Sequence, residues 1–369
     1  MHTLKFIEEE TGGEHLFDDF DVLPLGYELL KTMSTAPAGI ITIPLVAVNA
    51  RPLTASGDPM GPRVNIKAAV DTEIGIDVRA LLVGGWLPPG LAPHNSILMM
   101  DACALSVIRG RYQDGELLDR WKPDFLDMLQ DRVPRVTLLP LLVEGKKRGG
   151  ATTETDLEQT YDEAVDALAR ALPRVKIEGN RSGAIQGAMG LIADDVALRR
   201  REIAFLKSVM PMLGARPASA KLLSHWLKIV DAARNHELLI GAFPVLAALS
   251  ALVAQPSMNP ARRLLKPGPE YSDADAHNAL ADLNALRLLA AVHGDFPRDK
   301  PILLTYDKDL ALFWAGLGSK SAEREGAMLH YHLSPHEDLF PGDFGARLIQ
   351  LVASPRWTIV SHDRTRGNP

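Results

Sequence analysis

Short apolar runs set between helix-periodic stretches constrain this chain more than any other feature. "SILMM" (96–100), the apolar part of "RVTLLPLLVEGKKRGG" (135–150) and "PILLTYD" (301–307) are each short apolar runs of strand length. Between them, "DLEQTYDEAVDALARAL" and "ALRRREIAFLKSVMPML" repeat apolar residues at three- and four-residue steps. Buried runs alternating with helices argue an α/β fold with a parallel sheet.

The finer reading follows the chain. "GIITIPLVAVNA" (39–50) reads as β-like, and "WLPPGLAPHN" (86–95) as a linker, because its prolines continue neither helix nor sheet. Residues 1–93 are therefore expected to form an N-terminal extension, and 94–369 the main domain, with 151–270 as a helical insertion. A helix is expected from about Ala102 to Gln130, and a strand over 135–144 that ends on Glu144. Ser272 and Asp275 have the spacing of a capping box opening a helix over "DADAHNALADLNALRLLAAV". "ARLIQLVA" reads as a strand-like segment, followed by "RWTIVSH".

Composition removes several classes. In 369 residues, 46% are apolar and 23% charged, which allows a large core and argues against global disorder. A net charge of -6 argues against a surface that grips nucleic acid everywhere, and leaves room for a local basic groove. Cys103 is the single cysteine, which rules out an internal disulfide and a cysteine-based zinc site and fits a reducing cytoplasm. The stretch 238–254 is apolar enough to raise a membrane span, but Pro244 and its length favour a buried helix.

Three of the apolar runs end in acids: Asp101, Glu144 and Asp307. Strand ends share one edge of a parallel sheet, and ligands bind at that edge. Asp282 interrupts an apolar helical face and joins them as a fourth candidate. Two carboxylates about 4 Å apart repel by roughly 4 kcal/mol at an effective dielectric near 20. A divalent ion with oxygen ligands removes that penalty, and Mg²⁺ or Mn²⁺ suits such a site. Each acid also has an ordinary reading: strand-end Asp as a helix cap, Glu144 as a surface ion pair, Asp282 paired with Arg287.

The series "ILMMDACAL", "VTLLPLLVEG", "HNALADLNALRLL" and "ILLTYDKDL" resembles the motif series of PIN-domain nucleases. The resemblance covers roughly 94–150 and 272–320. It departs from compact members of the family in the N-terminal region and in the long helical stretch. It implies a PIN-like, mostly parallel sheet flanked by helices, and Mg²⁺- or Mn²⁺-dependent hydrolysis of phosphodiesters in RNA or single-stranded nucleic acid. Asp101, Glu144, Asp282 and Asp307 match the catalytic metal-binding positions in turn. Asp309 matches the last, more variable metal position, and Thr305 would hydrogen-bond the site. Two positions stay open: Asp275 competes with Asp282, and Asp363 of "TIVSHDR" competes with Asp307.

Lys146, Lys147 and Arg148 directly follow a proposed ligand and are candidates for substrate phosphate. Arg199, Arg200 and Arg201 read as a solvated helix face or a phosphate guide. His330, His332 and His336 read as a polar loop rather than a zinc site, and Cys103 and Trp314 as core. Two further classes compete with the nuclease. One is a catalytically silent PIN-like scaffold bound to a protein partner, as in a toxin–antitoxin or defence assembly, or to a second subunit. The other is a phosphohydrolase acting on a small ester.

Overall fold

The computed structural model describes residues 4–8, 11–18, 20–35, 40–72, 77–93, 95–130, 133–144, 152–325 and 328–353. The chain opens with strands β1 (Leu4–Ile7), β2 (Glu14–Asp18) and β3 (Asp21–Val22), helix α1 (Tyr27–Thr35), and strands β4 (Ile41–Leu53) and β5 (Val64–Thr72). These strands form an antiparallel sheet in the order β1-β2-β4-β3, with β5 also on β4.

The next strands build a second sheet. They are β6 (Arg79–Leu82), β7 (Gly85–Leu87), β8 (Ile97–Met100), β11 (Arg135–Thr137), β12 (Lys176–Ile177) and β13 (Ile302–Thr305); β9 (Tyr112–Gln113) and β10 (Glu116–Leu117) form a separate hairpin. The order is β12-β11-β8-β13-β6-β7. β12, β11, β8 and β13 run parallel, whereas β6 and β7 are antiparallel additions beside β13. The fold is thus mixed α/β. From β8 the chain moves outward through β11 to β12, then returns to the other side of β8 as β13. Strand order reverses between β8 and β13, and the crevice at such a reversal is where ligands enter open α/β sheets.

The helices are α2 (Ala102–Arg111), α3 (Leu139–Glu144), α4 (Glu154–Ala171), α5 (Arg181–Leu213), α6 (Ser219–Asn235), α7 (Phe243–Val253), α8 (Pro260–Leu265), α9 (Asp273–Asp295), α10 (Lys308–Leu317) and α11 (Phe344–Val352); a last hairpin joins β14 (Ser321–Glu325) to β15 (Met328–His332). The Ser272–Asp275 capping box opens α9, with both reciprocal bonds formed. Every residue of α7 is buried, and no described helix is long and apolar enough to cross a membrane. Trp314 is core, and its indole N–H donates to the Leu82 carbonyl at 2.8 Å, tying α10 to β6.

Several expectations are corrected. The strand expected to end at Glu144 stops at Thr137, and Glu144 instead ends α3. Pro140 in the first turn of α3 explains the switch, since its fixed φ suits a helix start and its missing N–H has no intrahelical acceptor there. The helix from Ala102 stops at Arg111, because Asp114 and Gly115 both take positive φ and close the β9–β10 hairpin. The stretch 86–93 is no exposed linker: all of it is buried, and Trp86 and Leu87 pair with β6. Here Gly85 is required, because φ is +147° and a Cβ would lie 2.1 Å from the Leu25 carbonyl oxygen. Residues 79–87 therefore belong to the sheet that carries the acids, across the expected boundary at 93. The 151–270 insertion is not wholly helical, since β12 joins the parallel sheet. "ARLIQLVA" forms the last described helix rather than a strand.

Candidate functional site

Asp101 follows β8 directly and caps α2. Its Oδ1 accepts from the Ala104 amide at 2.6 Å, and the Thr305 hydroxyl bonds the same carboxylate. Thr305, the last residue of β13, is fully buried, and its Oγ1 accepts from the Asp307 amide at 3.1 Å. Asp307 in turn caps α10, its Oδ1 accepting from Asp309 N (2.7 Å) and Leu310 N (2.9 Å). Thr305 is thus a bridge between the acids that end β8 and β13. The two strands pair in parallel, with Leu304 beside Met100, so the two caps flank the crevice.

Two further acids come from the helices around it. Glu144 ends α3, and its Oε2 lies 3.4 Å from the Ala102 amide, the first residue of α2. Asp282 lies on α9, which packs against both α3 and β13. Desolvation pushes the Asp101 carboxyl up to about 7, with Glu144 and Asp307 raising it further against the Ala104 and Thr305 bonds. Desolvation also lifts Asp282 to about 7, helped by Asp307, Glu144 and Asp101, with Lys266 opposing. Glu144 is raised as well, by desolvation against the bond from Ala102. Four acids from four separate segments therefore share one electrostatic environment.

The alternatives now have an outcome in geometry. Arg287 bonds Asp195 and Asn284, not Asp282. Asp275 is held in its capping box, and its carboxyl is lowered by Ser272 rather than raised by the other acids. The Asp309 carboxylate pairs with Arg263, at 2.6 Å. Asp363, Lys146, Lys147 and Arg148 lie outside the described residues. Of the arginine run, Arg201 pairs with Glu237 at 3.1 Å, and burial lowers Arg199 against the pull of Glu202.

Cys103 is not core. It is exposed on the first turn of α2, and its thiol is pushed up to about 11 by desolvation and then by all four acids. That shift makes it a poor nucleophile at neutral pH. His336 sits in a separate group. Its Nε2 lies 2.9 Å from Glu28, and its Nδ1 accepts from the Asp338 amide at 3.2 Å. Lys31 already neutralises Asp338 at 2.5 Å.

Whether the four acids suit a cation depends on spacing. Among the described residues, Glu28, His336 and Asp338 are the one trio of ligand atoms all within 4.8 Å of one another; no trio of the four acids is that tight. A small hard cation that keeps most of its waters and takes one or two carboxylates has no need of a tighter cage, which is the habit of Mg²⁺. The all-oxygen donor set and the mutual repulsion of the acids fit such an ion.

A pH effect follows for the metal-free protein. Asp101 and Asp282 have folded-state values near 7, against about 3.9 for unfolded Asp. Between those values the folded chain binds more protons than the unfolded chain, so stability rises as pH falls through 7. With chelator present, the chain is expected to gain about 1–2 kcal/mol between pH 8 and pH 6.5. Saturating Mn²⁺ should flatten that gain. Chemical denaturation at the two pH values checks both statements; His293, lowered by burial, sets the acid limit of the window.

Arg79, which drew no attention in the sequence, also reaches the site. It opens β6 directly opposite Thr305 in the antiparallel register. The only sequence signal was a cation inside the apolar run "IDVRALL". No family model, no curated protein and no solved structure matches this chain.

Proposed function

We propose that this chain is a metal-dependent phosphodiesterase of PIN-like design, acting on RNA or single-stranded nucleic acid. One observation supports the reading above others: Asp101, Glu144, Asp282 and Asp307 come from four separate segments, and the other three raise the Asp282 carboxyl. Mg²⁺ or Mn²⁺ bound there would supply charge for a phosphoryl oxygen and lower the pKa of water. Asp101 and Asp307 are the residues best placed to hold it, since backbone amides fix both carboxylates and the Thr305 hydroxyl bonds that of Asp101. Glu144 and Asp282 would add negative charge beside them. With a value near 7, Asp282 can also take up a proton at neutral pH.

The test is cleavage of a fluorescent single-stranded RNA with Mn²⁺, with Mg²⁺ and with chelator. Cleavage that needs the metal supports the reading. Metal-independent cleavage, or none with either ion, overturns it. The loose spacing of the acids favours one competitor, a silent scaffold on the same fold. Absence of any Mn²⁺ binding by calorimetry would point to that scaffold.

A further inference from the structure

We propose that Arg79 and Tyr306 form a nucleotide subsite beside Asp307, with Arg79 holding a backbone phosphate and Tyr306 stacking on the adjoining base of a single strand. The inference rests on the nuclease reading and adds the form of nucleic acid that the site accepts.

Arg79 lies at the carboxyl edge of the parallel strands, because β6 starts where β13 ends. Its Nη1 donates to the Asp77 carbonyl at 2.7 Å and the Tyr306 carbonyl at 3.3 Å. Those are neutral acceptors. Among the described residues no carboxylate pairs with it, and its Nε is buried without a partner. Burial lowers its pKa, while Asp77, Tyr306, Asp307 and Asp309 act in the other direction from nearby. A guanidinium held by carbonyls and left without a carboxylate keeps its charge for an anion. With Nε buried and Nη1 committed to the two carbonyls, Nη2 is the donor group left to meet a phosphate.

Tyr306 stands between Thr305, which is fully buried, and Asp307. It is 46% exposed, and among the described residues its ring meets no other aromatic ring. A large, partly open ring at the end of a buried strand, next in the chain to Asp307, offers a stacking face. Every base has a π-face, but only an unstacked base can use such a platform, so the subsite favours single strands over duplex. The ordinary reading of Arg79 is a counter-charge for Asp307 and Asp309. That role would affect stability and leave the salt dependence of nucleic-acid binding untouched.

The experiment is anisotropy of a fluorescent single-stranded RNA oligonucleotide, titrated with full-length protein in chelator and again in Ca²⁺, across a salt series. Arg79→Met is expected to weaken binding and make the log–log salt slope shallower by about 0.7, the loss of one single-strand phosphate contact. Tyr306→Ala is expected to weaken binding roughly 5- to 100-fold, with Tyr306→Phe close to wild type. A duplex of the same sequence should bind weakly, with no dependence on Tyr306. Unchanged affinity in Tyr306→Ala, or an unchanged slope in a folded Arg79→Met, overturns the subsite, as does failure of the wild type to bind the strand. Tyr306 is exposed, so its variants keep the question open if Arg79→Met does not fold. Tyr306-dependent binding without metal-dependent cleavage would keep the subsite and remove the nuclease; cleavage with neither effect would do the reverse.

Discussion

Asp101→Asn is expected to lose Mn²⁺-dependent cleavage by on the order of 100-fold or more, while its metal-free form becomes more stable than wild type. The two effects share one cause. Asn keeps the volume of Asp, and its carbonyl oxygen can still accept from the Ala104 amide, which lies 2.6 Å from the native Oδ1. What disappears is a negative charge that is desolvated and repelled by Glu144 and Asp307. Raising a carboxyl from about 3.9 to about 7 costs at most about 4 kcal/mol at alkaline pH, so the variant can recover only part of that. The gain should fade below pH 7, where the wild-type group is already protonated. Melting curves in chelator at pH 6 and pH 8 read the stability, and a labelled single-stranded RNA reads the activity. Equal cleavage by both proteins would assign the activity to another site or a contaminant. Unchanged stability at pH 8 would show that the Asp101 carboxylate is better compensated than its burial implies. Asp275→Ala is a useful contrast, since loss of its capping box should cost about 1 kcal/mol and leave cleavage intact.

What the sequence made legible is the part written in local pattern. β8 and β13 are continuous apolar runs bounded by Asp101 and Asp307, so both their extent and their terminal acids could be read directly. Asp282 was visible as a charge in an apolar helical face, and Asp275 as the partner of Ser272 in a capping box, which the fold forms. The errors came from turn chemistry and from pairing at long range. Asp114–Gly115 is a hairpin signal that a helix-period reading overran. The proline-rich stretch after Trp86 looked solvated, yet it is buried because Trp86 and Leu87 pair with β6. Leu348, Leu351 and Val352 repeat at helical spacing, but their density of apolar neighbours resembled a strand. Asp309 looked like a ligand because it shares a short motif with Asp307; Arg263, 46 positions away, decides its direction. No local pattern could place Arg79 at the site, because its partner Thr305 lies on a strand more than two hundred residues later.

Arg111→Met is expected to destabilise the fold by about 3–5 kcal/mol, although it touches none of the four acids. Arg111 closes the helix that Asp101 opens, and it is 1% exposed. Its Nη2 reaches Asp127 at 2.6 Å, Asp124 at 3.1 Å and the Lys122 carbonyl at 2.7 Å, and Nε reaches Asp127 at 3.1 Å. Trp121 and Tyr112 rings lie 5.4 and 5.7 Å from the guanidinium carbon. The irregular segment between β10 and β11 is thereby fastened to the C-terminal end of α2. Met fills the volume but leaves two partly buried carboxylates without their cation, and a desolvated charge left unpaired costs more than the pair itself contributes. Lys should rescue little, because one ammonium cannot reproduce the forked contacts to both acids and a carbonyl. The pH dependence gives the signature. Without Arg111 both carboxyls should rise, Asp124 above its already elevated value of about 6. Protonation then relieves the penalty, so the deficit should shrink as pH falls from 8 to 5.5. Urea denaturation of wild type and variant at those two values measures it. A deficit that stays constant with pH would mean that lost packing, rather than stranded charge, is the cause. A deficit under 1 kcal/mol would mean that the two acids reach water when the arginine is gone. Cleavage per folded molecule should fall too, since a loosened α2 no longer fixes the orientation of the Asp101 cap.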